Sequence, residues 1–323
     1  MRAIIPVAGI GTRLRPHTHT APKALLHVAG KPILGHILDE LRAFGVDDVV
    51  FIIGFLGEQI VDYVENNYPI RAKFVTQNEL KGLGWAIYIA KEYIEEEPVL
   101  IILGDTIFET DLNLMINGEY DCIGTKTVKD PRRFGIAETE NNFITKLIEK
   151  PETPTSNLAL MGIYYLKSTK LFKDCLDEMV QKEITTRGEY QLTDTLNLMI
   201  KHGCKMTTSN VDGWFDCGKP ETLLETNRYL LSQIQSVDKR ENNILIPPVF
   251  ISPSATIKDS VIGPYVSVGD NAKITRSIIK NSIVSSSAKV TDCLLEESLV
   301  GNNSIVAGRF RRANIGDSSE IKF

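Results

Sequence analysis

Residues 3–16 read AIIPVAGIGTRLRP, and this stretch decides the class of fold. A short apolar run ends in a glycine-rich turn that carries Gly9, Gly11 and Arg13, and Lys23 follows in the next segment. Glycines let the backbone approach an anion closely and point its N–H groups toward it. Because cations lie beside this turn, the pattern predicts a loop that binds a polyphosphate after the first strand of an α/β domain.

Two other phosphate-binding turns do not fit this stretch. The dinucleotide-binding turn G-x-G-x-x-G needs a third glycine, and Leu14 stands at that position. A Walker A loop closes with Gly-Lys-Ser/Thr, a sequence that this turn does not contain. Taken alone, the short GxG pattern is also compatible with a purely structural glycine turn whose cations are solvated. The longer sequence pattern around it is therefore needed to distinguish this alternative from a phosphate-binding loop.

The longer pattern covers residues 9–33, GIGTRLRPHTHTAPKALLHVAGKPI. It resembles the signature of the sugar-1-phosphate nucleotidyltransferases, written roughly GxGTRLxPxTxxxPKxLLxVxxKPI. The long form of the glucose-1-phosphate thymidylyltransferases is the most similar group, and the resemblance runs from Met1 to about Leu231 and more loosely beyond. It implies transfer of a nucleotide from a nucleoside triphosphate to a sugar-1-phosphate, with release of pyrophosphate.

The resemblance implies a nucleotide site around the N-terminal turn. Arg13 would hold the leaving pyrophosphate and Lys23 would stabilise the developing negative charge, so these two are the implied catalytic residues. The segment that follows Gly82 departs from the family's small-residue pattern at Gly84 and Trp85. The implied nucleotide-binding residues are Ala8, Gly9, Gly11, Thr12, Arg13, Lys23, Gln77 and Gly82.

A second set of motifs implies a site for the sugar phosphate. Glu149-Lys150-Pro151 matches the family's E-K-P motif, in which Glu149 would accept hydrogen bonds from sugar hydroxyls and Lys150 would bind the phosphate. Arg187 lies in an Arg-Gly-Glu segment and would reach the same phosphate, with a solvent-exposed position as the alternative. The implied sugar-phosphate-binding residues are Gly135, Glu149, Lys150, Gly162 and Arg187.

Two aspartates predict a metal site. Asp105 ends an apolar strand, where a carboxylate is costly unless it is paired or bound to a metal. Asp105 and Asp216 stand at the positions of the two aspartates that bind the metal in this family. Asp216 lies within the motif Trp-Phe-Asp-Cys-Gly. Two carboxylates together with substrate phosphates usually hold Mg²⁺, which is therefore the implied cofactor. The alternatives are a turn-capping role for Asp105 and a solvated loop position for Asp216.

Composition narrows the class of partner and the compartment. The chain has 323 residues, 43% of them hydrophobic, and its 36 Lys+Arg against 41 Asp+Glu give a formal charge of −5. This balance argues against a nucleic-acid binder, and no apolar run approaches the ~18 residues that a membrane helix needs. The five cysteines show neither a CxxC pair nor zinc-site spacing. We therefore expect a cytoplasmic protein with free thiols and small-molecule substrates, and with no nucleic-acid or membrane partner.

Hydrophobic patterning predicts two domains. Strands alternate with helices in the first part and give way to shorter strands from about Asp121, which predicts a Rossmann-like mixed-sheet nucleotidyltransferase domain over residues 1–236. Residues 237–247 are a predicted linker. From Ile251 to Val306 apolar residues recur every five or six positions, the hexapeptide pattern of a left-handed β-helix, predicted over residues 248–323 with three to four coils. A small antiparallel β-domain is the alternative.

The predicted β-helix lacks the histidine that acetyltransferases of this form use as a base, since His202 is the last histidine. We therefore expect an assembly role and a homo-oligomer. For the catalytic domain, dTTP with glucose-1-phosphate is the preferred substrate pair, and UTP with glucose-1-phosphate or GTP with mannose-1-phosphate remain open. A catalytically silent regulatory homologue is the further alternative, against which the full set of implied ligands argues.

Overall fold

A computed structural model describes residues 1–234 and 242–308 of the chain. Its N-terminal part alternates strands with helices, as the sequence predicts. The strands of this part are β1 (Arg2–Pro6), β2 (His27–Val28), β3 (Lys31–Pro32), β4 (Asp48–Ile53), β5 (Arg71–Thr76), β6 (Val99–Ile102), β7 (Thr106–Glu109), β8 (Asp121–Thr127), β9 (Gly135–Glu140), β10 (Phe143–Glu149), β11 (Leu158–Leu166), β12 (Met206–Asn210) and β13 (Gly213–Asp216).

Nine of these strands form a mixed sheet in the order β10-β9-β11-β6-β1-β4-β5, with β8 paired to β11 and β12 to β8. The pairs β6-β1, β1-β4 and β4-β5 are parallel, whereas β11 runs antiparallel to β6. Strands β1, β4 and β6 are buried apolar runs, as expected of central parallel strands with both faces covered. The predicted Rossmann-like mixed-sheet fold is confirmed.

Seven α-helices occur in the described residues, and the longer ones bury one apolar face. In α1, Leu34, Ile37 and Leu41 lie on the buried face at three- and four-residue steps. The helices are α1 (Ile33–Ala43), α2 (Gly57–Asn67), α3 (Leu83–Ile89), α4 (Leu112–Ile116), α5 (Thr169–Gln181), α6 (Leu192–Lys201) and α7 (Pro220–Ser232).

One predicted helix differs in its bounds. The apolar pattern predicts a helix over residues 86–94, but α3 begins at Leu83 and ends at Ile89, and a 3₁₀ turn covers Lys91–Tyr93. The early start follows from Gly82, whose φ of 104° is a conformation that side chains oppose and that turns the chain into the helix. The spacing of apolar residues alone does not reveal such a glycine turn, so it does not predict where the helix begins.

A second departure from the sequence pattern is a two-stranded antiparallel ribbon formed by β7 and β13. Asp216 pairs with Thr106, and Gly213 pairs with Glu109. Residues far apart in the chain thus become neighbours next to the main sheet.

The C-terminal part is a series of short parallel strands that fits the predicted left-handed β-helix. Three faces each carry four strands: β14-β17-β20-β23, β15-β18-β21-β24 and β16-β19-β22-β25. The strands are β14 (Ile244–Leu245), β15 (Val249–Ile251), β16 (Thr256–Lys258), β17 (Val261–Ile262), β18 (Val266–Val268), β19 (Lys273–Thr275), β20 (Ile278–Lys280), β21 (Ile283–Val284), β22 (Lys289–Thr291), β23 (Leu294–Glu296), β24 (Leu299–Val300) and β25 (Ile305–Ala307).

The apolar ladder predicted from the sequence is the interior of this β-helix. Ile257, Ile274 and Val290 occupy equivalent positions on successive strands and are buried together. One coil therefore spans 17 residues from 257 to 274 and 16 residues from 274 to 290, slightly fewer than the 18 of three hexapeptides.

Contacts between residues divide the chain into two compact units. The first unit comprises Met1–Leu26 and Lys31–Thr222, and the second comprises His27–Gly30 and Leu223–Phe323. The boundary after Thr222 lies inside α7, earlier than the predicted end at residue 236. The predicted bounds 1–236, 237–247 and 248–323 stay a prediction, because residues 235–241 and 309–323 lie outside the described residues.

The small segment His27–Gly30 groups with the second unit through a buried polar cluster. The side-chain oxygen of Asn227, which is fully buried, accepts the backbone N–H of Ala29 at 2.9 Å and the hydroxyl of Ser267 at 2.6 Å. A Cβ at Gly30 would lie 2.5 Å from the ring of Phe250, so only glycine fits there. Sequence patterning assigns this segment to the first domain because it carries no sign of these distant partners.

All five cysteines are free. Over residues 1–234 and 242–308 there is no helix that combines the length and the apolar character needed to cross a membrane.

Candidate active site

The N-terminal unit contains a cavity of about 860 Å³ beside the carboxyl ends of several strands. Leu103 and Asp105 line it just after β6, Glu149 ends β10, and Asp216 ends β13. Ligands of open α/β sheets bind at this edge, because the loops that follow the strands leave a crevice there.

The cation nearest to Asp105 is Lys23. Its Nζ atom lies 2.7 Å from Oδ2 of Asp105, and the lysine side chain is only 10% exposed. Desolvation in the cavity wall raises the pKa of Asp105, but the Lys23 ammonium, the Thr106 hydroxyl and the charge of Arg13 outweigh it and lower the pKa below its ordinary value. The carboxylate is therefore ionised at neutral pH.

The glycine turn sets the position of Lys23. Gly11 adopts φ 68°, and a Cβ there would lie 3.0 Å from Cγ2 of Thr18 and 3.1 Å from Cβ of Lys23. The buried Thr18 hydroxyl donates to the Gly11 carbonyl at 2.9 Å. Close packing of the turn against Lys23 thus requires glycine at position 11, which accounts for the second glycine of the motif.

Arg13 and Asp216 meet at Gly218. A Cβ on Gly218 would lie 2.8 Å from Nη2 of Arg13 and 2.7 Å from Oδ1 of Asp216. Pairing of β7 with β13 puts Asp216 opposite Thr106, and the N–H of Cys217 donates to the carbonyl of Asp105 at 3.1 Å. The two aspartates that the sequence separates by more than a hundred positions therefore line one cavity.

The donor set at this point suits a hard divalent cation. Asp105 and Asp216 offer carboxylate oxygens, which Mg²⁺ prefers. In the described parts of the chain no group of three or more His, Cys, Asp or Glu side chains is placed to hold a metal ion, so the protein would supply two carboxylates at most. The remaining ligands would be water or substrate phosphate, as is usual for Mg²⁺. The residues fit the ion that the sequence implies, and their role as its ligands stays a prediction.

Glu149 and Lys150 form another part of the cavity wall. Oε1 of Glu149 lies 3.3 Å from Nζ of Lys150, and Oε2 of Glu149 accepts the Thr193 hydroxyl at 3.4 Å. Gly135 pairs with Glu149 across β9 and β10, and a Cβ there would lie 3.1 Å from Oε2. Gly162 on β11 lines the same cavity with a φ of 78°.

Arg187 lies beside this wall but does not line the cavity. Its Nη2 atom donates to the backbone carbonyl of Lys150 at 2.6 Å. The residue is exposed, which is the alternative position considered from the sequence, but this hydrogen bond ties its side chain to the wall.

The residues implied for the nucleotide divide into two groups. Arg13 lines the cavity, whereas Ala8, Gly9, Gly11, Thr12, Lys23, Gln77 and Gly82 are not among its lining residues, although Lys23 contacts Asp105 in the wall. The side chain of Gln77 is buried and donates to the Glu79 carbonyl at 3.0 Å. A base would have to displace this local hydrogen bond to be read by Gln77.

Several lining residues carry weaker sequence signals. Thr193 follows the Arg-Gly-Glu segment, and Trp214 opens the Trp-Phe-Asp-Cys-Gly motif, so both lie within or next to recognised motifs. Nε1 of Trp214 is buried and has no hydrogen-bond partner among the described residues, and its ring meets Phe134 edge-on at 5.2 Å. Burial followed by the charge of Glu149 raises the pKa of Tyr164, which therefore stays neutral in the wall. Tyr164 lies in the segment Gly162-Ile163-Tyr164, which matches a strand of the family, but the sequence assigned no role to the tyrosine itself.

Comparisons with known proteins match this architecture. The sequence profile of the nucleotidyl transferase family covers residues 2–233. Bifunctional protein GlmU of Methanocaldococcus jannaschii is 39% identical over 331 residues, which cover 94% of this chain and 78% of that protein. Glucose-1-phosphate thymidylyltransferase of Streptomyces antibioticus is 30% identical over 366 residues, covering 100% of this chain and 99% of the relative.

A crystal structure from Bacillus anthracis, described as a glucose-1-phosphate thymidylyltransferase, superimposes with a TM-score of 0.64 at 28% identity. The match covers 74% of this chain and 98% of that one.

Proposed function

The chain belongs to the nucleotidyl transferase family, and from this premise we propose that it transfers dTMP from dTTP to glucose-1-phosphate, with release of pyrophosphate. The class of enzyme, a sugar-1-phosphate nucleotidyltransferase, follows from the family and its relatives. The substrate pair is supported by thymidylyltransferases that are 29–30% identical to the chain along nearly their whole length.

One observation supports the proposal above the others. A single cavity is lined by Arg13, Asp105, Glu149, Lys150 and Asp216, and Lys23 is bound to Asp105 beside it. Cations for phosphates, carboxylates for a divalent ion and a hydrogen-bond acceptor for a sugar thus lie within reach of one bound pair of substrates.

The reaction needs little covalent help from the protein. An oxygen of the sugar phosphate attacks the α-phosphorus, a new P–O bond forms, and the bond to the pyrophosphate oxygen breaks. Mg²⁺ bound by Asp105 and Asp216 would supply charge neutralisation at the reacting phosphates.

The chain's own residues orient the reactants and stabilise charge. Lys150 binds the sugar phosphate while Glu149 accepts hydrogen bonds from the sugar. Arg13 presents a planar fork to the departing pyrophosphate, and Lys23 offers a point charge that Asp105 holds in place. Preorganised charge of this kind stabilises a transition state because no reorganisation is needed during the reaction.

The experiment that tests this proposal is a matrix of ATP, CTP, GTP, UTP and dTTP against glucose-, N-acetylglucosamine- and mannose-1-phosphate, with Mg²⁺ and pyrophosphate release as the readout. We expect the largest kcat/KM for dTTP with glucose-1-phosphate. A larger kcat/KM for UTP with glucose-1-phosphate, or for GTP with mannose-1-phosphate, would show that this other pair is the substrate pair. No release from any pair would leave the catalytically silent homologue as the better description.

The β-helix is proposed as an assembly module that binds a second copy of the chain. Its outward positions Ile244, Val261, Ile278 and Leu294 stack in register along one face, and three of them are 48–67% exposed. An apolar column of this kind is costly in water unless a partner covers it. Leu294→Glu should lower the mass measured by light scattering; an unchanged mass would argue against this face as the contact.

A further inference from the structure

Two residues that depart from the family's pattern, Gly84 and Trp85, lie at a junction between two parts of the site. They belong to the first turn of α3, which directly follows Gly82, one of the residues implied for nucleotide binding. Opposite them is the turn Thr186–Gln191, which precedes α6 and the residues of the sugar-phosphate wall. The proposed function assigns no role to either departure.

Backbone contacts join these two segments closely. The N–H of Tyr190 donates to the Lys81 carbonyl at 2.8 Å, and the N–H of Gly84 donates to the Tyr190 carbonyl at 2.8 Å. A Cβ at Gly82 would lie 2.4 Å from the Tyr190 carbonyl oxygen, and one at Gly84 would lie 2.9 Å from that of Gln191. Glycine at position 84 is therefore explained by the approach of the opposite segment.

Trp85 adds a side-chain contact to the same junction. Its ring stacks on Tyr190 with centroids 5.9 Å apart and planes at 30°, and on Tyr88 at 5.3 Å and 27°. The Lys81 ammonium lies 4.7 Å from the centroid of the Trp85 ring. Stacking and cation–π contacts both favour this arrangement.

The two sides of the stack differ in how firmly they are held. Helix α3 is anchored by Ala86 and Ile87, which are buried in the main core. On the opposite side Tyr190 is only partly buried against the same core, and the turn before it is a tight connection in which Arg187 and Gly188 both have positive φ. A loss of the stack should therefore move the turn rather than the helix.

The turn leads directly to the sugar-phosphate wall. Glu189, Gln191 and Thr193 line the cavity, and the Thr193 hydroxyl contacts Glu149. Neither Trp85 nor Tyr190 lines the cavity, so their stack can reach a substrate only through lining neighbours, which are Glu189 and Gln191 beside Tyr190 and Leu83 on α3.

We propose that Trp85 is a positioning residue for the sugar-phosphate subsite. By stacking on Tyr190 it holds the turn Thr186–Gln191 against helix α3. This inference rests on the proposed function for the identity of the ligand in that subsite. In this proposal the stack connects the nucleotide-binding and sugar-phosphate-binding parts of the site through contacts within the protein. Trp85 itself touches neither substrate.

Kinetics of Trp85→Ala test the proposal. Removing a stacked aromatic pair should raise KM for the sugar-1-phosphate by roughly two- to tenfold, while KM for the nucleotide changes less than about twofold. Trp85→Phe should restore most of the loss. The matched control is Tyr88→Ala, which removes the other stacking partner of Trp85 and should leave both KM values near those of the wild type.

A double-mutant cycle identifies the contact. If Trp85 acts through Tyr190, the variant that combines Trp85→Ala and Tyr190→Ala should lose no more than either single variant. Additive losses, an equal rise in both KM values, or the same effect in Tyr88→Ala would overturn the proposal.

A fluorescence measurement tests the stack without turnover. Trp85 and Trp214 are the two tryptophans of the chain, so Trp214→Phe leaves Trp85 as the only one. In that background Tyr190→Ala should shift the emission to longer wavelength and increase quenching by acrylamide, and unchanged emission would contradict the stack. If the wild-type protein were inactive with every substrate pair, the proposed function would be wrong. The fluorescence measurement does not depend on activity and would still show whether Trp85 stacks on Tyr190.

Discussion

The two units of the chain use charged residues in opposite ways. In the first unit Arg13, Lys150 and Asp216 line a cavity, and Leu160, Tyr164 and Leu192 of the apolar core form another part of its wall. In the β-helix the interior is made of apolar side chains, and pairs such as Arg276 with Asp292 lie on its exterior. The difference teaches that chemistry and stability are separable here. Substitutions in the cavity should change activity more than folding, and substitutions in the ladder should do the reverse.

The largest effect is expected for Asp216→Asn. Loss of one charged ligand should lower kcat by at least about 100-fold in limiting Mg²⁺, because neutralisation of the reacting phosphates is lost. The melting temperature should stay close to that of the wild type. Asp212→Asn, at an exposed position just before the same strand, is the control, and near-normal turnover of Asp216→Asn would exclude its assigned role.

The opposite result is expected for Ile274→Ala. This side chain is fully buried in the ladder, so its truncation should lower the free energy of unfolding of the β-helix by about 2–5 kcal/mol. Denaturant titration measures the loss, and kcat of the folded protein should be unchanged. Lys273→Ala, at the exposed neighbour on β19, should change stability by less than about 0.5 kcal/mol. Equal losses in both variants would show that the ladder is not the source of stability.

A moderate effect is expected for Lys150→Ala. Removing the cation should raise KM for the sugar-1-phosphate by roughly tenfold or more, because a hydrogen bond to a charged group is lost, and KM for the nucleotide should change less. Lys146→Ala, at an exposed position on β10 four residues before Lys150, is the control. Weakened nucleotide binding alone would contradict the assignment of Lys150 to the sugar phosphate.

The smallest effect concerns His27 in the second unit. Burial lowers the pKa of His27, and the charge of Asp270 opposes this only in part. The folded state therefore binds a proton less readily than the unfolded chain, whose histidine pKa is about 6.5. This contribution to stability is complete above that pH and is lost as the pH falls toward the lower folded pKa. His27→Gln should flatten the fall of the melting temperature below about pH 6.5; an unchanged pH profile would show that His27 does not control it.

Much of the fold could be predicted because it depends on local periodicity. The alternation up to Asp121 predicted the parallel strands, and the five- to six-residue spacing from Ile251 predicted the β-helix. In both cases a repeated burial pattern is written directly into neighbouring residues. The coil length of 16–17 residues escaped prediction because the turns between faces can lose a residue without moving the buried positions.

The sequence by itself determined the family, the anion-binding turn and the residue types of the site, because fixed spacings in residues 9–33 and around Glu149 carry them. Only the tertiary structure decided which of these residues meet. Pairing of β7 with β13 brings Asp216 to Asp105, the close approach of Gln191 explains Gly84, and Trp85 stacks on Tyr190. Such contacts join segments about a hundred residues apart, and a local pattern cannot encode them because they depend on how the whole sheet closes.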